Sequence, residues 1–359
     1  MKKVIVTVGP KSISHSVLAG LVRAGAATFR INLSHSTSQS LEQYFSSIQS
    51  VGVMPSIDTQ GAQLRVEGLP GKSEFFPGES INLIFGANEY DASSALFAED
   101  STTIVLNHPE VADQVSKGDI LKIDFSGLIV SLSERISSSV WLSEVVGAGS
   151  VIKNRAVDVA GRAIKLSPLT RFDLEAIQYA QSKGCREVYA SFVSSKQDVL
   201  EIRKHLLNDT FLVSKIESAL GVANAAEIID SSDAILIDRG DLSREISIPS
   251  VPIAVNSIIQ MSKKAGKQVY VATNVLDSMM SSPLPSRAEI SDIYTLLKAG
   301  ASGLVLAAEV AIGDNPIASA ALLEYLARLY ECHALGLFGV GLVNKPSKDL
   351  IGEQLYNWL

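Results

Sequence analysis

Two side chains of opposite charge, Lys215 and Glu217, stand two positions apart at the end of a short apolar run. In a β-strand that spacing places both on one side, so a cation and a carboxylate would share a pocket. An ion pair at the rim of a barrel is the alternative interpretation. Asp241 offers a second carboxylate, although a helix cap would also explain it. Two carboxylates with open coordination positions suit Mg²⁺ or Mn²⁺ held jointly with substrate oxygens.

Anion-binding groups are the second chemical feature. Arg30 lies on the same strand face as Asn32, and a guanidinium there would bind a phosphoryl group through two hydrogen bonds. A stacked or salt-bridged surface arginine fits the sequence equally. Gly240 and the turn after it suggest backbone N–H groups free to hold a carboxylate or a phosphate. Such local donors are needed because the formal net charge of the chain is −7.

Eight strand-and-helix units would position these residues. Apolar runs predict strands at about 4–8, 28–32, 53–57, 187–191, 211–215, 234–237, 268–272 and 303–306. Amphipathic patterns predict helices at roughly 14–24, 38–50, 171–183, 196–207, 219–230, 252–265, 287–299 and 316–330. Because apolar strands alternate with helices, we expect an α/β fold with a parallel sheet covered on both faces. Eight units favour a closed (β/α)8 TIM barrel over an open sheet.

Polar residues cluster where the predicted strands end. Besides the residues named above, they are Gly9-Pro10, Ser34-His35, Asp58-Thr59, Ser191, Thr273-Asn274 and Glu309. The carboxyl ends of barrel strands lie at one face, which is where barrel active sites are built. That face is therefore the predicted active site.

The domain organisation follows from a change of pattern in the middle of the chain. Residues 1–66 plus 161–330 are predicted to form the barrel, and residues 67–160 a domain inserted after the third strand. Short apolar runs with close turn signals indicate a small β-barrel or sandwich in the insertion. At this point it would lie over the mouth of the barrel and act as a lid. Residues 331–359 form a tail to which the sequence assigns no role.

Composition limits the class of protein. Of the 359 residues, 47% are hydrophobic, which is enough for more than one domain. A pI near 5.4 does not fit a surface that binds nucleic acid or a membrane. Cys185 and Cys332 lack metal-ligand spacing and suit a reducing compartment. The amino-terminal apolar run is too short for a signal sequence. We therefore expect a cytoplasmic enzyme.

Several motifs resemble those of the pyruvate kinase family, in the same order along nearly the whole chain. They are Val6–Ser12, Ala24–His35, Ile57–Arg65, Leu169-Thr170, Ala190–Val193, Ser214–Ser218, Asp238–Leu242, Ala272–Met279 and Pro285–Glu289. The resemblance covers the barrel and the inserted lid domain, whereas the family's C-terminal domain is missing from this sequence. It implies phosphoryl transfer from phosphoenolpyruvate to ADP, giving pyruvate and ATP, with Mg²⁺ and K⁺ as cofactors. Any homo-oligomer is expected to use barrel surfaces.

The resemblance also implies a role for each matching residue. Lys215 would offset charge on the transferring phosphoryl group and the enolate, and Arg30 would bind the phosphoryl group. Thr273 would lie beside the enolate carbon. Gly240 and Asp241 would also contact the substrate.

The remaining implied roles concern ions and the nucleotide. Glu217 and Asp241 would hold the Mg²⁺ that bridges substrate oxygens. The implied K⁺ ligands are Asn32, Ser34, Asp58 and the carbonyl of Thr59. The residues towards ADP would be Gly9, Pro10, His35 and Arg65.

The sequence departs from the family pattern close to these residues. Gln60 and Gln63 replace a lysine and a glutamate, and Asp238 and Ser243 replace an alanine and a glycine. Ala307 replaces the serine implicated in relaying a proton to the enolate. Ala307 and the missing domain leave a catalytically weakened regulatory homologue open. A metal-dependent aldolase or lyase acting on pyruvate or phosphoenolpyruvate also stays open, because Mg²⁺ on Glu217 and Asp241 could stabilise an enolate for it.

Overall fold

The computed structural model describes residues 2–69, 72–86, 103–123, 127–153, 155–161, 164–336 and 343–359. The chain divides into two compact units, Met1–Gly61 with Arg171–Leu359, and Ala62–Thr170. The segment predicted to be inserted, 67–160, lies within the second unit, which extends further at both ends.

The first unit contains a closed barrel of parallel strands, which confirms the predicted fold class. The strands are β1 (Lys3–Val8), β2 (Thr28–Asn32), β3 (Ser56–Asp58), β4 (Glu187–Ala190), β5 (Phe211–Ile216), β6 (Ala234–Asp238), β7 (Gln268–Ala272) and β8 (Gly303–Leu306). Each strand pairs with its neighbours in chain order, and β8 pairs with β1 to close the barrel.

Helices follow the strands and cover the barrel. They are α1 (His15–Arg23), α2 (Ser38–Gln49), α3 (Arg171–Ser182), α4 (Lys196–Arg203), α5 (Ala219–Ala223), α6 (Ala225–Ser231), α7 (Arg239–Glu245), α8 (Val251–Lys264), α9 (Arg287–Ala299), α10 (Ala308–Ala311), α11 (Pro316–Ala334) and α12 (Lys348–Trp358). Their ends follow local chemistry. In α9, for example, Ser286 and Glu289 form a reciprocal capping box, and Gly300 ends the helix with a φ of +122°.

Two elements differ from the predicted ones for local reasons. β3 begins at Ser56 rather than near residue 53, because Pro55 has no N–H to donate and Met54 is exposed. The single helix predicted at 219–230 is broken at Asn224, whose backbone leaves the helical region.

The interior of the barrel is filled with side chains from the strands. This buried layer consists of Ile5, Tyr189, Val213, Ala234, Leu236, Tyr270, Ala272 and Val305. Alternating residues of barrel strands point inward and form such layers. The polar residues at the carboxyl ends of the strands therefore stand on an apolar floor.

The second unit is built on a seven-stranded sheet. In hydrogen-bonded order, its strands are Val157–Val159, Ile120–Ile123, Leu128–Arg135, Val140–Gly147, Ser80–Phe85, Thr103–Leu106 and Val66–Gly68. The two edge strands also meet, since Val66 N donates to Arg155 O and Val157 N donates to Leu64 O, both at 2.8 Å. The sheet therefore closes on itself around its own apolar core. Glu74–Phe75 and Gly149–Ser150 form a separate two-stranded sheet.

The last part of the chain is helical. The final helix, α12, is kinked at Gly352, where φ is +74°. Residues 337–342, within the tail of unassigned role, lie outside the described residues. None of the described helices is long and apolar enough to cross a membrane.

Candidate active site

Lys215, on β5, is the centre of a buried charged cluster. Its Nζ lies 2.9 Å from Glu217 Oε1 and 3.0 Å from Asp58 Oδ1, and it donates to Ser191 Oγ at 2.9 Å. The lysine side chain is 6% exposed, and both carboxylates are fully buried. Strands β3, β4 and β5 therefore supply one shared pocket.

Arg30, on β2, shares the Asp58 carboxylate with Lys215. Its Nη1 lies 3.3 Å from Asp58 Oδ2, while Nε and Nη2 donate to Thr7 Oγ1 at 3.2 and 2.8 Å. The guanidinium carbon stands 5.5 Å from the centre of the Tyr189 ring, a distance typical of a cation–π contact. Arg30 is thus stacked and salt-bridged, as the alternative interpretation had it, but at 2% exposed it does not lie on the surface.

Three buried side-chain atoms in this cluster take part in no hydrogen bond. They are Arg30 Nη1, Asp58 Oδ2 and Glu217 Oε1. Oppositely charged groups lie close to each of them, but without hydrogen-bond geometry. Buried polar groups nearly always have a hydrogen-bond partner, so an unbonded set in one place calls for an explanation. A ligand that brings its own acceptors and cations would provide it.

The charges of the cluster depend on one another. Burial raises the pKa of Glu217 to about 7; the Lys215 ammonium opposes this shift, whereas the carboxylates of Asp241, Asp238 and Asp58 add to it. Burial lowers the pKa of Lys215, but the Asp58 and Glu217 carboxylates outweigh burial and raise it above its ordinary value. Lys215 is therefore a cation at neutral pH. Burial and the neighbouring carboxylates oppose the ionisation of Glu217, whereas the Lys215 ammonium favours it.

Backbone and side-chain groups of the two residues after β4 hold the ends of β3 and β5 together. Phe192 N donates to Glu217 Oε2 at 2.7 Å, from a backbone with φ of +55°. Ser191 Oγ donates to Thr59 O at 2.6 Å, and Ser191 N donates to Thr59 Oγ1 at 3.0 Å. A positive φ at a phenylalanine is uncommon, and such strain persists only where surrounding contacts maintain it.

Gly61 is essential for the close approach of these segments. Its φ is +73°, and an added Cβ would lie 2.3 Å from Ser191 O. We predict that Gly61→Ala destabilises the protein by more than about 2 kcal/mol and lowers turnover, because the Ser191 backbone must move. Gly52→Ala is the matched control: φ is +79°, but nothing lies within 4 Å. The control is expected to cost only about 1 kcal/mol in urea unfolding. Equal losses in the two variants would contradict the prediction.

Three carboxylates lie together beside Lys215. Glu217, Asp238 and Asp241 each offer an oxygen, and these oxygens lie within 4.8 Å of one another. Asp238 is the N-cap of α7, a helix absent from the sequence prediction, and Asp241 lies in its first turn. Carboxylate oxygens are the ligands that Mg²⁺ prefers, and Glu217 Oε1 is free of hydrogen bonds. The residues therefore fit a divalent cation.

Thr273, directly after β7, has a strained backbone. Its φ is +73°, and that of Asn274 is +54°, values that are rare for residues other than glycine and especially for a β-branched one. The Thr273 hydroxyl donates to Asp238 Oδ1, and Arg239 Nη2 donates to the Thr273 carbonyl at 2.7 Å. Arg239 is fixed in turn by Asp292, 2.6 Å away. Strain held by such contacts is typical of functional sites.

The backbone N–H of Gly240 already has a partner. It donates to Asp238 Oδ1 at 3.1 Å. The sequence suggested that this N–H is free to hold a substrate anion, but in this structure the Asp238 carboxylate occupies it.

The residues predicted to bind K⁺ lie at the ends of two adjacent strands. Asn32 and Asp58 are register partners of β2 and β3. Asn32 Oδ1 accepts a hydrogen bond from Ser34 N at 2.9 Å, and the Thr59 carbonyl accepts from Ser191. Oxygens of Asn32 and Thr59 therefore already take part in contacts within the protein.

The residues predicted to face the nucleotide are divided between the two units. Gly9 and Pro10 follow β1, and a Cβ added at Gly9 would lie 2.6 Å from Ala311 Cβ. His35 ends a short 3-10 helix and is exposed. Arg65 belongs to the second unit, where its N donates to Asn107 Oδ1 at 2.7 Å.

Several contributors were missed from the sequence or given the wrong emphasis. Thr7 was not singled out, although a polar residue inside an apolar strand is a usable signal. Asp238 was noted only as a departure from the family pattern, not as part of the carboxylate group. Glu309, at a strand end, instead supports loops: its Oε1 accepts from Val275 N and Leu276 N, both at 3.1 Å.

The chain is similar to known proteins over most of its length. Residues 1–320 match the family described as "Pyruvate kinase, barrel domain". A pyruvate kinase from Agrobacterium vitis is 31% identical over 92% of this chain and 68% of its own length. Plastidial pyruvate kinase 2 from Arabidopsis thaliana is 30% identical over 90% of this chain, and a pyruvate kinase from Naumovozyma castellii is 30% identical over 88%. The matches span 56% and 64% of the length of these two relatives.

Proposed function

Because the chain belongs to the pyruvate kinase family, we propose that it transfers a phosphoryl group from phosphoenolpyruvate to a nucleoside diphosphate such as ADP, giving pyruvate and ATP. The observation that carries the proposal is the set of buried atoms without hydrogen bonds, Arg30 Nη1, Asp58 Oδ2 and Glu217 Oε1, around the Lys215 ammonium. Cationic donors suit phosphoryl oxygens, and carboxylates suit the cations that accompany them.

Arg30 and Lys215 would act through their charge. Arg30 would bind the phosphoryl group through its unbonded Nη1, and Lys215 would offset the charge that develops during transfer and on the enolate. Both cations are buried and held by Asp58. They therefore keep their positions without reorganisation, which is what electrostatic catalysis of phosphoryl transfer requires.

Glu217 and Asp241 would hold Mg²⁺ or Mn²⁺, which when bound neutralises charge on the substrate oxygens. The proposed ligands of K⁺ are Asn32, Ser34, Asp58 and the Thr59 carbonyl. The proposed nucleotide contacts are Gly9, Pro10, His35 and Arg65.

Thr273 is proposed to lie beside the enolate carbon that takes up a proton. Its hydroxyl is oriented by Asp238 Oδ1, and its backbone is fixed by Arg239. Ala307 has no hydroxyl to relay a proton. We therefore propose that the Thr273 hydroxyl, together with solvent, serves the protonation step in this chain.

The full chain should produce pyruvate from phosphoenolpyruvate only when Mg²⁺ and a nucleoside diphosphate are both present. Pyruvate can be followed by its reduction with lactate dehydrogenase and NADH, and ATP can be measured in the same samples. Pyruvate formed at the same rate without a nucleotide would contradict the proposal and favour the aldolase or lyase. If the protein binds phosphoenolpyruvate but turns it over with none of the nucleoside diphosphates, the result would favour a catalytically weakened regulatory homologue.

A further inference from the structure

Asp238 contributes a third carboxylate to the proposed metal site. Its oxygen lies within 4.8 Å of oxygens of both Glu217 and Asp241. A group of acidic side chains alone does not make a site. Here, however, Glu217 Oε1 is fully buried and accepts no hydrogen bond, although Lys215 Nζ lies 2.9 Å from it.

The contacts of Asp238 leave one of its oxygens available. Oδ1 accepts from both Gly240 N and the Thr273 hydroxyl. These are the hydrogen bonds of the Asp238 side chain within the described part of the chain, so Oδ2 can face a cation. The carboxylate is also held in a fixed orientation, which favours coordination.

No ion pair of Asp238 is formed within the described part of the chain, although its charge is close enough to Lys215 to help raise the pKa of that ammonium. Arg239, its neighbour in sequence, pairs with Asp292 and with the Thr273 carbonyl. Lys215 pairs with Asp58 and Glu217. Arg244 pairs with Asp241 at 3.0 Å. Like charges as close as those of Asp238 and Glu217 nevertheless repel, and the repulsion is strongest where the groups are buried. A bound cation would remove it.

We propose that Asp238 is a third carboxylate ligand of the divalent cation, so that the protein holds this ion before the substrate binds. The proposal rests on the metal site of the proposed function and extends it. Affinity of oxygen-ligand sites rises with the number of charged ligands. The free protein should therefore bind Mn²⁺ more tightly than a site with Glu217 and Asp241 alone.

The test measures Mn²⁺ binding to the full chain without substrate. The electron paramagnetic resonance signal of free Mn²⁺ reports how much of the ion remains unbound. Asp238→Asn keeps the oxygen that accepts from Gly240 N and Thr273, so it changes charge with little change in local hydrogen bonding. It is expected to weaken Mn²⁺ binding by about tenfold or more. Glu217→Gln should abolish binding, and Asp230→Asn, at an exposed position of α6, should leave it unchanged. Thermal unfolding without metal checks that each variant is folded.

The possible failures are distinguishable. If Asp238→Asn binds Mn²⁺ as the parent protein does while Glu217→Gln does not, Asp238 is no ligand and the metal site of the proposed function stands. If the parent protein binds no Mn²⁺ in the absence of substrate, the inference that the ion is held beforehand is overturned. A coupled assay with Mg²⁺ then decides separately whether the proposed function survives.

Discussion

Lys215→Met is expected to lower turnover by about 10³-fold or more, because it removes the buried cation proposed to face the transferring group. No other described side chain holds its position between Asp58 and Glu217. Lys196→Met, at an exposed position of α4, removes the same charge outside the cluster and should leave turnover unchanged. The coupled pyruvate assay measures both variants.

The same substitution should also destabilise the protein. Lys215 is the counter-ion of two fully buried carboxylates, and removing one partner of a buried ion pair costs about 3–5 kcal/mol. The double variant Lys215→Met with Glu217→Gln leaves fewer uncompensated charges, so it should recover part of the stability but none of the turnover. Urea unfolding gives the stabilities. Full turnover in Lys215→Met would contradict the catalytic role. So would a loss of turnover that matches the unfolded fraction of Lys215→Met and disappears in the more stable double variant.

Much of the barrel is readable from sequence because buried parallel strands and amphipathic helices have simple periodicities. The start of β3 was missed because Pro55 interrupts a run that is apolar on either side. The position of Lys215 and Glu217 in one pocket follows from strand spacing alone. What the sequence does not show is the backbone conformation of Thr273 or Phe192, since a positive φ at such residues comes from tertiary contacts.

The set of three carboxylates, Glu217, Asp238 and Asp241, is another feature that the sequence shows only in part. Glu217 and Asp241 were found because both stand at predicted strand ends. Asp238 was not grouped with them because the prediction contained no helix after β6, and the N-cap of that helix is what turns Asp238 towards its neighbours. Side chains whose position depends on a short connecting helix cannot be placed from periodicity.

Asp58 was assigned from the family resemblance to a K⁺ site, yet its contacts in the structure are with two cationic side chains. Oδ1 lies 3.0 Å from Lys215 Nζ, and Oδ2 lies 3.3 Å from Arg30 Nη1. All three residues are buried. Asp58 is therefore the common counter-ion of both proposed phosphoryl-binding residues, whether or not K⁺ also binds.

Asp58→Asn is accordingly expected to lower the free energy of unfolding by about 3–5 kcal/mol even in buffer without K⁺, because two buried cations lose their shared carboxylate. Asp209→Asn breaks an Asp–Arg pair of the same chemistry, with Arg186 at 2.9 Å, but both side chains are exposed. It should cost at most about 1 kcal/mol. If Asp58 were only a K⁺ ligand, Asp58→Asn would match the parent protein in stability in tetramethylammonium buffer and differ only when K⁺ is added.

Turnover measurements test whether the protein needs K⁺. The parent protein is assayed in tetramethylammonium buffer with and without K⁺ at constant ionic strength, and we expect K⁺ to increase turnover. Equal rates would show that Asn32, Ser34, Asp58 and Thr59 have structural roles only. In Asp58→Asn, added K⁺ should not restore turnover, because an ion in solution cannot replace a carboxylate fixed between Arg30 and Lys215. Recovery of the parent rate at high K⁺ would reject the counter-ion role and return Asp58 to the K⁺ site alone.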